Sequence, residues 1–331
     1  MTWAAFFMIF ASAGLHASWN LIAKKSHMNH AFYTALVLVD MLMGAWIWFC
    51  LPLALSSLRP SFFLFAAGSA LSETCYCIGL IMAYRKMDMS AAYPMMRSLP
   101  LIFTALFTAL MGIGERLSGV TLIGMATVFA GCLIMPLYKF SDFRISSYLD
   151  FKILFVLLAA LGTTFYTICD SEAQRVLTDC APQLSETMVT CVYYEFRHVA
   201  VFLSVGTLTL ALPFARAEVA ELRRHGWGAA VLAGVFAGLT YYLVLLAMNP
   251  KFVSNVSYVQ AFRQLGLVIG MLEGIFILKE RCTLTRVLGI VLIVSGLVLT
   301  VIKPGDKADP AEKGRAETKV ENAVPASTME K

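Results

Sequence analysis

Charged residues are scarce in this sequence. They make up 14% of the 331 residues, whereas hydrophobic residues account for 59%, and the mean hydropathy is +0.74. This composition lies far outside that of water-soluble proteins and predicts a membrane protein. The loops between the apolar segments of residues 1–302 are too short for an extramembrane catalytic, nucleic-acid-binding or receptor domain.

Signatures of metal sites and intramembrane enzymes are also missing. The sequence has no His-x-x-x-His or His-Glu-x-x-His pattern, and Cys75-x-Cys77 lacks the spacing and the second cysteine pair of a zinc site. No Ser/Lys or paired-Asp arrangement falls at facing membrane depths. We therefore expect no metal, no cofactor, no enzyme activity and no nucleic-acid partner.

Ten apolar segments are present, each long enough for a membrane-spanning helix. They lie near residues 3–23, 31–55, 61–84, 88–113, 118–138, 150–169, 187–213, 226–248, 253–278 and 283–302. The first segment lacks the basic start of a signal peptide, so we interpret it as a retained span. Residues 303–331 are rich in Pro, Glu, Lys and Ala, which predicts a disordered polar tail.

An internal repeat relates the two halves of the chain. Glu115-Arg116 and Glu280-Arg281 are each followed by two glycines at identical spacings, with a constant offset of 165 residues. The same offset relates three further pairs: Tyr76 and Tyr241, Leu80 and Leu245, Tyr93 and Tyr258. The sequence therefore predicts an all-α membrane protein of ten transmembrane helices, in two five-helix repeats at residues 1–145 and 146–302. Because five is odd, the second repeat enters the membrane from the opposite side and is inverted.

The repeated glycines predict close helix packing. Gly124 and Gly131 on the fifth segment, like Gly289 and Gly296 on the tenth, recur every seven residues and keep one helix face small. Two interpretations stay open: packing between the two repeats, and packing between the protomers of a homodimer.

Three motifs carry a family resemblance. They are His16-Ala17-Ser18-Trp19-Asn20, Ala92-Tyr93-Pro94 with Arg97, and Gly114-Glu115-Arg116-Leu117. Residues 1–302 resemble the EamA branch of the drug/metabolite transporter superfamily, although Lys279 replaces the corresponding glycine of the second half. The resemblance implies a multi-pass protein of the bacterial inner or plasma membrane. It leaves the substrate open, since relatives carry amino acids, sugars, nucleotide-linked compounds and other metabolites.

Two arginines are the main candidates for substrate binding. Arg97 and Arg263 each lie about ten residues into a predicted span, at mid-bilayer depth, where a charge costs about 2.5–3.5 kcal/mol. Two guanidinium groups that face one cavity would bind a carboxylate or phosphate through paired hydrogen bonds. The alternative is a structural ion pair with a membrane acid.

Further candidates surround the two arginines. Tyr93 is four residues from Arg97 on the same helix face, and His16 shares a face with Asn20 on the first span. The sixth span has a similar polar stripe of Thr163, Thr167 and Asp170. The remaining predicted substrate-binding residues are Trp19, Glu73, Tyr76, Tyr241, Tyr258, Gln260 and Gln264.

Acidic residues and a histidine within the spans suggest a way to couple transport to protons. Burial raises the pKa of a carboxyl group toward neutral pH, which suits it to carry a proton. The candidates are Glu73, Glu195 and His198. A static salt bridge from Glu73 or Glu195 to Arg97 or Arg263 remains the alternative.

The orientation of the termini stays open. The odd-numbered loops hold thirteen Lys and Arg residues and the even-numbered loops hold four, which places the termini outside by the positive-inside rule. The family resemblance implies cytoplasmic termini instead.

Together these features predict a secondary active transporter for a small anionic or zwitterionic metabolite. We expect alternating access within the lipid bilayer, driven by protons or by exchange. The alternatives are a lipid or amphiphile flippase of the same fold and, with less support, an intramembrane enzyme.

Overall fold

The computed structural model describes residues 2–26, 29–50, 53–87, 89–142, 151–225, 227–276 and 281–302. Within these ranges all regular secondary structure is helical. The α-helices are α1 (Trp3–Lys25), α2 (His30–Gly44), α3 (Pro60–Lys86), α4 (Met89–Met111), α5 (Gly119–Ile134), α6 (Ile153–Cys180), α7 (Glu186–Ala211), α8 (Pro213–His225), α9 (Gly228–Ala247), α10 (Val256–Phe262), α11 (Leu265–Phe276) and α12 (Leu284–Val301).

Six of the described helices are long and apolar enough to cross a membrane. They are α1, α2 with its 3-10 extension Ala45–Phe49, α3, α6, α9 and α12. The chain is therefore an all-helical, multi-pass membrane protein in its described part. The predicted tail, residues 303–331, lies outside the described residues.

Each of the ten predicted apolar segments contains a helix, but the structure differs from the expectation at the end of the seventh segment and within the ninth. An additional helix, α8, follows α7 at an angle of 103°. Pro213 begins α8, and a proline lacks the amide hydrogen needed to continue α7. The ninth segment is divided into α10 and α11, because the Gln264 and Gly266 amides donate to carbonyls only three residues back.

Close helix pairs form the framework of the molecule. α3 packs along α6, α1 along α9, α5 along α12, and α2 against both α7 and α9. A Cβ atom on Gly162 of α6 would lie 2.6 Å from the Ser72 carbonyl oxygen, and one on Gly79 of α3 would lie 2.6 Å from the Phe155 carbonyl oxygen. Glycine therefore lets the backbones of α3 and α6 touch, as small residues do between membrane helices.

The predicted glycine faces of α5 and α12 lie against each other. A Cβ on Gly124 would approach the Gly296 carbonyl oxygen to 2.7 Å, and one on Gly131 would approach the Gly289 carbonyl oxygen to 2.8 Å. These glycines therefore serve packing between the two helices of a single chain. A homodimer stays a prediction, and these glycine faces are already covered within the chain.

Candidate functional site

A cavity with many polar side chains on its wall lies between helices of both halves of the chain. Its empty volume is about 980 Å³, including space that opens to solvent. Most of the predicted substrate-binding residues line it, namely His16, Trp19, Asn20, Glu73, Tyr76, Arg97, Tyr241, Gln260, Arg263 and Gln264. His198, a predicted proton-coupling residue, also lines it. The structure thus brings together predicted residues from α1, α3, α4, α7, α9 and α10, and from the short break between α10 and α11.

Some of the predicted residues lie elsewhere. Tyr258 packs against the hydrophobic core instead of the cavity wall, because it is two residues from Gln260 and points to another face of α10. Glu195 lies off the wall, where its Oε1 accepts a hydrogen bond from Trp48 Nε1 at 2.6 Å. The side chain of Tyr93 lies outside the described residues, as does Glu280.

Arg97 faces another hydrogen-bond donor on the cavity wall. Trp19 Nε1 donates to His16 Nδ1 at 3.1 Å, and since an indole only donates, the hydrogen of a neutral His16 ring lies on Nε2. His16 Nε2 is 3.1 Å from Arg97 Nη1, which also only donates. Two donors therefore face each other, and an acceptor would satisfy both.

Arg97 and Arg263 are bonded to neutral groups. Arg97 Nη2 donates to the Arg263 carbonyl oxygen at 3.1 Å, and Arg263 Nη1 donates to Gln260 Oε1 at 3.2 Å. No ion pair joins either guanidinium to a described carboxylate. The structural pairing with a membrane acid, left open by the sequence, is thus not found among the described side chains, which do not include that of Glu273.

A third arginine on the wall, Arg197, was not among the predicted binding residues. It is 3% exposed, and its Nη2 donates to Glu73 Oε2 at 3.0 Å. Its Nε lies 3.3 Å from both carboxylate oxygens of Asp170, and its guanidinium stacks over the Tyr241 ring at 4.1 Å from the centroid. Glu73 is therefore paired with Arg197, not with Arg97 or Arg263.

The two carboxylates beside Arg197 are held by hydroxyl groups. Asp170 is fully buried and accepts hydrogen bonds from Ser69, Tyr193 and Tyr241. Tyr33 donates to Glu73. The polar stripe on the sixth span predicted that Asp170 faces the interior of the protein. No local pattern predicted its partners, because they come from three other helices.

A second histidine, His198, lies among acceptors. Its Nδ1 is 2.7 Å from the Tyr194 carbonyl oxygen, which only accepts, so the hydrogen of the neutral ring lies on Nδ1. Its Nε2 then accepts from Arg197 Nη1 at 3.3 Å and lies 3.8 Å from Asp40 Oδ2. Here one acceptor faces another, the reverse of the arrangement at His16.

Comparisons with known proteins bear on the fold alone. Neither a family model nor a curated protein matches the chain. One solved structure, described only as a crystal structure of a protein, superposes with a TM-score of 0.64 at 16% identity, over 90% of this chain and 97% of that chain. The similarity extends over nearly all of both chains, so the two proteins share a fold.

Proposed function

We propose that this chain is a secondary transporter that moves a small anionic or zwitterionic metabolite across the membrane by alternating access. The observation that carries the proposal is the placement of Arg97 and Arg263 on one cavity wall without an ion pair to a described carboxylate. Both arginines are partly buried, and a guanidinium within the membrane is costly without a counter-ion, which a substrate anion would supply.

The hydrogen-bond pattern near Arg97 favours the same substrate class. Arg97 Nη1 and His16 Nε2, which carries the hydrogen of the neutral ring, are two donors with no acceptor between them. Arg97 Nε is buried without a partner among the described residues. A carboxylate, phosphate or phosphonate group carries several acceptor oxygens and no obligatory donor when ionised. An anion bound there would satisfy donors that otherwise face each other.

We extend the proposal to the ten-span inverted repeat and to membership of the EamA-type transporters. Suppose that the first five helices, α1 to α5, correspond in order to the helices of the second half. The second-half helices are then α6, α7, α9, α10 together with α11, and α12. Under this correspondence each observed helix pair is related by a two-fold axis to another observed pair or to itself. The α3–α6 pair maps onto α9–α1, whereas α2–α7 and α5–α12 map onto themselves. Such a pairing supports two interlocked inverted halves with a site between them, as in carriers that expose a central site to each side in turn.

A ligand screen on the purified full chain in detergent tests the proposal. The probes are short carboxylates, amino acids and alkylphosphonates, and binding is detected as a rise in the thermal unfolding temperature. Because a hydrogen bond to a charged group contributes about 1.5–3 kcal/mol, Arg97→Ala and Arg263→Ala should each weaken binding about 10- to 100-fold.

Arg175→Ala is the matched control, since Arg175 is exposed and pairs with Glu172 on its own helix. It should bind as tightly as the natural chain. Equal binding by the natural chain and both cavity variants would refute the site. Stabilisation by long-chain amphiphiles alone would favour the flippase.

A further inference from the structure

Three buried oxygen atoms without hydrogen-bond partners lie close together beside the cavity. They are Asp40 Oδ1, Tyr194 Oη and Glu195 Oε2, and none has a partner among the described residues. Asp40 is 5%, Tyr194 4% and Glu195 1% exposed. Buried polar atoms in folded proteins are almost always paired, so three unpaired oxygens on adjacent helices call for a proton or a water molecule that satisfies them.

Two glycines make room for these oxygens. A Cβ on Gly238 of α9 would lie 2.7 Å from Tyr194 Oη and 3.0 Å from Asp40 Oδ1, so both atoms border the same point. A Cβ on Gly44 would overlap Glu195 Oε2 and lie 3.1 Å from the Tyr194 ring. Tyr194 therefore lies beside both acids: its hydroxyl group borders the same point as Asp40 Oδ1, and its ring borders the same point as Glu195 Oε2.

These residues lie between the cavity and the end of the second span. Asp40 lines the cavity. Glu195 binds Trp48, which lies in the 3-10 turn that ends the second span. Asp40, Tyr194 and Glu195 thus connect the cavity with the end of that span.

The hydrogen-bond roles around Asp40 leave a place for a proton. Asp40 Oδ2 faces His198 Nε2 at 3.8 Å, and that nitrogen already accepts from Arg197. The two facing atoms are both acceptors, so a proton held by the Asp40 carboxyl group relieves a contact that the ionised form makes unfavourable.

Other titratable or charged groups near Asp40 are already engaged. Glu73 on α3 pairs with Arg197, and Tyr241 on α9 donates to Asp170. Tyr242, also on α9, lies beside Cys191. The acid that α8 brings to α2, Glu218, binds the His30 amide at the far end of that helix.

We propose that Asp40 and Glu195, with Tyr194 between them, form the path by which a coupling proton passes between the cavity and the end of the second span at Trp48. Because the three oxygens do not hydrogen-bond one another, a water molecule bridges each gap. The proton binds the Glu195 carboxylate, Tyr194 accepts it while giving up its own hydroxyl proton, and Asp40 receives that proton. Release from Asp40 to water in the cavity restores every group. The role in coupling rests on the proposed transport function, but the path itself is tested without a substrate.

Infrared difference spectroscopy of the full chain in phosphatidylcholine liposomes, recorded between low and neutral pH, tests this path. We expect the C=O band of a protonated carboxylic acid to grow as the pH falls. Asp40→Asn should remove that band, and Glu195→Gln should remove a second component. Asp179→Asn is the control, since Asp179 is an exposed acid near the end of α6, and it should leave both components in place.

Tyr194→Phe keeps the test decisive if a carboxyl variant fails to fold, since the hydroxyl it removes has no partner among the described residues. It should shift the frequency of the Asp40 band. Bands that are the same in the natural chain, Asp40→Asn and Tyr194→Phe would overturn the path. A titrating band in a protein that binds no small metabolite would instead leave the path in place and remove the proposed transport function.

Discussion

The two histidines that line the cavity differ in their hydrogen-bond roles. His16 Nε2 carries a hydrogen and faces Arg97, another donor, at 3.1 Å. His198 Nε2 carries none and faces Asp40, another acceptor, at 3.8 Å. The same side chain therefore favours an anion beside Arg97 and a proton beside Asp40, because the partner of its second nitrogen decides the tautomer.

The three arginines on the wall differ in the same way. Arg197 has two buried carboxylates as partners, whereas Arg97 and Arg263 bond only to neutral groups among the described residues. A paired arginine stabilises the fold around it, and an arginine without a counter-ion remains able to bind a ligand. Three measurements of unfolding free energy would sharpen or break this comparison.

The largest effect is expected for Arg197→Ala. This change leaves Glu73 and Asp170 buried without their counter-ion, which costs about 3–5 kcal/mol. The measurement is the free energy of unfolding of the detergent-purified chain from a denaturant titration. The exposed variant Arg175→Ala should unfold almost as the natural chain does. A similar small change for Arg197→Ala would end the distinction between paired and unpaired arginines.

A smaller effect is expected for Tyr33→Phe. The variant keeps the ring and loses only the hydroxyl that donates to the Glu73 carboxylate. A hydrogen bond to a charged group contributes about 1.5–3 kcal/mol, so the same titration should give a loss in that range. Tyr138→Phe serves as the control, since Tyr138 is 57% exposed, and it should change the free energy of unfolding little. Equal values for the two variants would show that Glu73 does not depend on Tyr33.

The smallest effect on stability is expected for Arg97→Ala, at about 1 kcal/mol or less. Its partners are the His16 ring and the Arg263 carbonyl oxygen, and both border a cavity in which water can replace the lost donors. Ligand binding should nevertheless fall, as the screen above measures. A destabilisation as large as that of Arg197→Ala would mean that Arg97 is a structural residue too.

Much of the fold follows from local features of the sequence. Apolar segments become helices because an exposed backbone polar group is too costly in lipid. Each of the ten predicted segments contains a helix, and six of these helices are long and apolar enough to cross a membrane. The helix α8 was missed because its amphipathic composition resembles that of a polar loop, and the break after Phe262 was missed because no proline marks it. The helix α8 and the break after Phe262 both depend on how neighbouring helices pack against these parts of the chain.

Composition and periodicity by themselves determined the membrane class and the helical segments. Only the tertiary structure decided that Arg197 is the paired arginine, since its partners Asp170 and Glu73 are 27 and 124 residues away along the chain. It also decided which nitrogen of each of these two histidines, His16 and His198, carries the hydrogen. Hydrogen bonds and ion pairs act over a few ångströms in space, so helices that are distant in sequence must pack before such contacts exist.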